Sequence, residues 1–123
     1  LWNNLPEQDA FLESMAASAQ SVADYFGDNI LYINVMNNLS IDCDCDSNPH
    51  DPEMKDIGIL ASTDPVALDQ ACLDLVYAVK PTEGNDNRPL VNRIESLHGR
   101  HTVDYAETIG LRSKNYELVV LDT

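Results

Sequence analysis

The chain has 123 residues, enough for one domain with a modest core, and its 44% hydrophobic content is that of a folded protein. With 21 acidic against 7 basic residues the net charge is −14, which disfavours nucleic acid and anionic membrane surfaces as partners. No apolar run approaches the ~20 residues of a membrane helix. The start has neither the basic nor the apolar region of a signal peptide. These features predict a cytoplasmic chain folded as a single domain over residues 1–123. The first residue is Leu1 and not an initiator Met, so a fragment of a longer protein is expected.

Residues 6–26 have the spacing of a helix. Phe11, Met15, Ala19, Val22 and Phe26 recur at helical intervals, and Leu12, Ala16 and Ala23 widen the apolar stripe. Pro6 suits the first turn, and Gly27 suits the stop. Trp2 is expected to pack against the helix start. Residues 30–36 and 56–61 are short apolar runs, predicted as buried strands, and Gly58 in the second suggests a close backbone approach. Ser62-Thr63-Asp64-Pro65 is a helix-start signal, with Asp64 as cap and Pro65 at the first position. The helix it opens, to about residue 79, is apolar nearly all round and so is expected to be buried.

Residues 80–88 are polar and rich in turn formers, and predict a flexible loop. Two short helices are predicted next. Residues 89–97 would turn Leu90, Ile94 and Leu97 inward and stop at Gly99. Residues 102–109 would start on Thr102, bury Val103, Ala106 and Ile109, and stop at Gly110. Residues 116–121 predict a final strand. Helices between strands predict an α/β fold: a small mixed or parallel sheet of about three strands, packed by helices, and part of a larger sheet in the full-length protein.

The chemistry concentrates in Asp42-Cys43-Asp44-Cys45-Asp46, followed by Ser47-Asn48-Pro49-His50. In an extended run, residues two apart share a face. Cys43 and Cys45 would then form a soft thiol pair opposite a row of carboxylates. The surrounding negative charge opposes loss of the thiol protons, and a bound cation would offset both. Such a loop points to metal: a single divalent ion, zinc or iron, or an iron–sulfur cluster. Cys43 and Cys45 would be ligands, and Asp44, Asp46 and His50 auxiliary ligands. A Cys43–Cys45 disulfide would close a very small strained ring, which favours reduced thiols.

Two thiols do not complete a site, and His98, His101 or Cys72 are the chain's other candidates. The plainer expectation is that Cys72 is a small core residue and that both histidines lie on the surface. The acids and Asn48 also occupy positions of a calcium-binding EF-hand loop, but Ser47 and Pro49 stand where that motif requires otherwise. Asp69 interrupts the buried helix and needs a partner. With Asp64 it is a candidate for supporting the thiol loop from behind.

Three stretches together resemble one family: Tyr32-Ile33-Asn34-Val35-Met36, Asp42-Cys43-Asp44-Cys45, and Asp56-Ile57-Gly58-Ile59-Leu60-Ala61-Ser62-Thr63-Asp64-Pro65-Val66-Ala67-Leu68-Asp69-Gln70-Ala71. It is the prokaryotic family called domain of unknown function 362, whose members are often labelled iron–sulfur centre proteins. The resemblance implies a longer protein with a large upstream part, often carrying a ferredoxin-type module. It maps the family's Cys-x-Cys onto Cys43 and Cys45 and its acidic residues onto Asp64 and Asp69. The chain's own missing upstream segment or such a module is the implied partner, and a homo-oligomer is also open.

Three functions compete. The first is a metal- or iron–sulfur-associated protein using the Cys43–Cys45 loop. The second is a structural domain that completes the sheet of a larger protein, which an uncovered apolar sheet face would favour. The third is half of an active site shared with an upstream part, in which Asp64 and Asp69 face a cleft.

Overall fold

The computed structural model describes residues 7–43 and 45–121. The elements run α1 (Gln8–Phe26), β1 (Tyr32–Met36), β2 (Gly58–Ser62), α2 (Pro65–Ala78), α3 (Arg88–Ser96) and α4 (Arg100–Thr108). The expectations for Trp2 and Pro6 lie outside the described residues.

The helix α1 ends where Gly27 turns to a φ of +56° and its amide donates to the Ala23 carbonyl. Its buried face is Leu12, Ala16 and Ala23, whereas Met15, Val22 and Phe26 are exposed. The face is therefore rotated by about one residue, or 100°, from the predicted stripe. Small alanines let α1 lie close against α4, which buries Val103 and Ala106 in the same cluster. The larger side chains on the neighbouring stripe meet no cover among the described residues.

The two strands pair antiparallel, with Tyr32 opposite Ser62 and Met36 opposite Gly58. This corrects the predicted parallel or mixed sheet of three strands to a two-stranded antiparallel one. The helix-separated order that suggested parallel strands does not apply, because only a long loop separates β1 from β2. Residues 116–121 are β-prone but form no strand, and Val120 and Leu121 are about four-fifths exposed. A strand needs a ladder partner, and propensity alone does not supply one.

Neither strand is buried on both faces. Met36, Asn34 and Leu60 turn toward α2, while Ile33, Val35 and Ile59 are exposed on the other face. The alternation follows from the two-residue period of a strand with one covered side. Gly58 has a φ of +143°, and a side chain there would meet nothing within 4 Å. Its glycine serves the backbone conformation and not the close approach that was expected.

The helix α2 begins as predicted. Asp64 Oδ1 accepts from the amides of Val66 at 2.9 Å and Ala67 at 3.0 Å, and Pro65 occupies the first turn. Asp64 Oδ2 accepts from the Ser113 amide at 3.2 Å, so the cap also anchors the chain beyond α4. At the other end the buried Asn87 donates its side-chain amide to the Val76 carbonyl at 2.8 Å. α2 spans two apolar clusters. Val66 packs with α1 and α4, while Val76 packs with Met36, Met54 and residues of α3.

Residues 80–88 are held more firmly than a flexible loop. Thr82 and Asn85 exchange backbone hydrogen bonds around Gly84, and the Asp86 amide donates to the Glu53 carbonyl at 2.8 Å. Two local boundaries also move. Leu97 is 47% exposed and not inward, and α4 starts at Arg100, with Thr102 inside it and no side-chain cap from Gly99.

Replacing Asp64 by Ala is expected to cost about 1–2 kcal/mol, the usual effect of losing a helix cap. Asn87→Ala should cost about 1 kcal/mol by removing one buried hydrogen bond to the Val76 carbonyl, which keeps the Val79 amide as its other donor. Urea unfolding of both variants against Asn92→Ala, an exposed position on α3, checks the two values.

Candidate metal and thiol site

The loop from residue 37 to 57 leaves the sheet and returns to it through a narrow neck. The Ile57 amide donates to the Met36 carbonyl at 2.9 Å, and the Asn38 amide donates to Asp56 Oδ1 at 2.9 Å. Pro49 and Pro52 remove donors within the excursion, and no helix or strand forms among its described residues. Met54 is buried in the cluster beneath, and Leu39 and Ile57 pack partly against it.

The sequence run 42–46 is not extended. The Asp46 amide donates back to the Cys43 carbonyl at 2.9 Å, which makes a turn. The turn brings the sulfurs of Cys43 and Cys45 together. They are paired as a disulfide across a Cα–Cα distance of 5.1 Å, correcting the expectation of separate reduced thiols. The turn shortens the distance that an extended backbone would keep between them. The Cys45 amide also donates to Cys43 Sγ at 3.2 Å. Both cysteines are exposed.

Asp42 and Asp46 are engaged separately. Asp42, only 15% exposed in its side chain, turns to the base of the loop. There Oδ2 lies 2.5 Å from His50 Nδ1 and Oδ1 lies 3.2 Å from Arg93 Nη1. Arg93 reaches across from α3 and also donates to the Ile41 carbonyl at 3.4 Å. Asp42 thus clasps both ends of the segment that carries the cysteines. Asp46 accepts from the Asn48 amide at 3.0 Å, stabilising its own turn. Asp44 lies outside the described residues. His50, engaged through Nδ1, keeps Nε2 as its nitrogen for any ligand.

The other candidates lie elsewhere. His98 Nδ1 is 2.7 Å from Asp9, and His101 Nε2 is 3.0 Å from Glu13, both tying α1 to the α3–α4 junction. Cys72 is half-buried on α2 and packs beside Met36 and Val76. Its thiol is pushed up from the ordinary range, first by burial and then by the nearby Asp69 charge. Among the described residues no three histidine, cysteine or acidic side chains gather to hold a metal ion. The chain has three cysteines in all, so a four-thiolate cluster does not fit it alone. A two-sulfur portion of a site fits the exposed pair.

Asp64 and Asp69 part company. Asp64 is committed to the amides of Val66, Ala67 and Ser113. Asp69 borders a cleft of about 290 Å³ between α2, the end of β1 and the start of α4. Asn34 donates its side-chain amide to Asp69 Oδ1 at 3.0 Å and to Cys72 Sγ at 3.4 Å. Arg93 and Asn34 are the site residues that sequence reasoning missed. Each meets its partner across a long stretch of chain, and no local spacing signals such a contact.

The Asp42–His50 contact carries a pH dependence. The hydrogen bond to Asp42 raises the His50 pKa above its ordinary 6.5, so this contribution is complete below 6.5 and fades as pH rises through the raised value. The same bond lowers the Asp42 pKa below its ordinary 3.8, so that contribution is present above 3.8 and fades as pH falls through the lowered value. The clasp is therefore tightest between about pH 4 and 6.5. An NMR titration should give His50 a raised pKa that returns to the ordinary range in Asp42→Asn.

The site's loop and both strands fall inside a match to known sequences. A family model described as Domain of unknown function (DUF362) matches residues 2–74. No curated protein and no solved structure matches the chain. The matched stretch is more than half of the chain and contains the Cys43–Cys45 turn, its neck and the Asp64 cap, and on that ground the chain belongs to the DUF362 family.

Proposed function

We propose that the Cys43–Cys45 turn is a two-sulfur half-site for a metal ion or an iron–sulfur centre, completed by ligands from outside this chain. The observation that carries this reading is the meeting of two exposed sulfurs on a loop with a hydrogen-bonded neck and an Asp42 clasp. A clasped loop lowers the entropy lost when a ligand is bound. Clasping also takes the Asp42 charge away from the sulfurs, leaving less repulsion against thiolates. Asp44, Asp46 and His50 are auxiliary donors in this reading, whereas Asp64 and Asp69 are engaged away from the loop and take no part in it.

The paired sulfurs must first be reduced. Two electrons and two protons from an external dithiol convert the disulfide to two thiols. Metal binding then releases those protons. Zinc or iron would be held by the two thiolates, and the remaining positions would be filled by an upstream segment or a ferredoxin-type module.

Cobalt(II) titration of the reduced chain under argon tests this. Intense near-ultraviolet sulfur-to-cobalt absorption is expected, with loss of that band in Cys43→Ala/Cys45→Ala. Equal absorption in the double variant would contradict the proposal.

A second reading has its own support. Ile33, Val35 and Ile59 form an apolar patch on the outer face of the sheet, and Ile59 is 72% exposed. Opposed pairs such as Val35 and Ile59 fit a layer awaiting cover. The domain would then dock this face into a larger assembly and so present the thiol loop to it. Val35→Thr/Ile59→Thr should leave the unfolding free energy within about 0.5 kcal/mol, as for exposed positions. The same variant should bind less of a hydrophobic dye. A large loss of stability would show that the face is already covered.

A further inference from the structure

We propose that the cleft beside Asp69 binds a small organic cation: a primary ammonium group on a short apolar body. This site is separate from the Cys43–Cys45 turn and does not depend on its chemistry. The walls are Met36, Leu73, Val76 and Val103, and the only charged side chain in the lining is Asp69. An anion would meet that carboxylate with no base beside it. A wholly apolar ligand would make no use of the exposed carboxylate at the rim of the cleft. A cation with an apolar tail satisfies both parts.

The polar groups are arranged for this. Asn34 spends its amide hydrogens on Asp69 Oδ1 and Cys72 Sγ. That fixes the carboxylate on one side and leaves Oδ2 to accept from an ammonium group. The Thr102 side chain, in the same lining, adds a neutral hydroxyl acceptor. Burial and the Asp69 charge hold the Cys72 thiol in its protonated form, so it contributes no second charge and is a poor nucleophile. The volume, about 290 Å³, sits at the lower edge of the ~300 Å³ where ligand pockets begin. That size selects a ligand of a few carbons. The chain's net charge of −14 further enriches cations near its surface.

The test uses three isosteric probes on the isotope-labelled full chain: 3-methylbutylamine, 3-methylbutan-1-ol and 3-methylbutanoate. NMR follows the amides of Asp69, Cys72 and Val103. The amine should shift all three with a millimolar midpoint, and the alcohol should bind about tenfold more weakly, as expected for loss of a partly screened charge-assisted hydrogen bond. The carboxylate should leave the three amides unmoved. Asp69→Asn, which keeps the shape and the Asn34 contact, should reduce the amine to the level of the alcohol. Equal midpoints for the three probes overturn the proposal, as do amine shifts confined to other acidic positions such as the 42–50 loop. The wild-type series alone decides the matter if Asp69→Asn does not fold.

Discussion

The carboxylate of Asp64 is the joint on which the structure turns. One oxygen holds the first free amides of α2, and the other holds the Ser113 amide after α4. The start of α2, the end of β2 and the segment beyond α4 therefore meet at one side chain. Because α2 spans both apolar clusters, its direction sets where the sheet and the helical layer lie. The cleft at Asp69 forms along this helix. The thiol loop is fixed indirectly, through the sheet that α2 covers and through α3.

The electrostatics divide the negative charge of the chain into two kinds. Some carboxylates are committed: Asp64 to amides, Asp42 to His50 and Arg93, Asp9 and Glu13 to histidines. Others remain on the surface, where salt screens them and they serve solubility. The committed ones join segments far apart in sequence. Arg93 is the most informative case, since few bases are available and this one is spent on the base of the cysteine loop. That use gives the loop a defined origin on α3.

Local rules made part of this legible in the sequence. Asp64-Pro65 announced the start of α2, and Gly27 announced the end of α1, because each acts within a few residues through backbone geometry. The spacing of Cys43 and Cys45 singled out the loop in which the two sulfurs meet. Its conformation was not legible, because turn and extended forms are both open to such a sequence. The outward stripe of α1 and the failed strand at residues 116–121 misled for a common reason. Apolar periodicity states which side chains favour cover, and only tertiary packing decides which obtain it. Contacts such as Asn34 to Asp69 and Arg93 to Asp42 depend on how whole elements are placed.

The proposed function rests on two sulfurs presented together by a clasped loop. X-ray absorption at the zinc edge, on the reduced chain loaded with one equivalent of zinc, reads the donor atoms directly. Two sulfur neighbours at about 2.3 Å are expected, with lighter atoms filling the remaining positions. A shell of only oxygen and nitrogen would contradict the account.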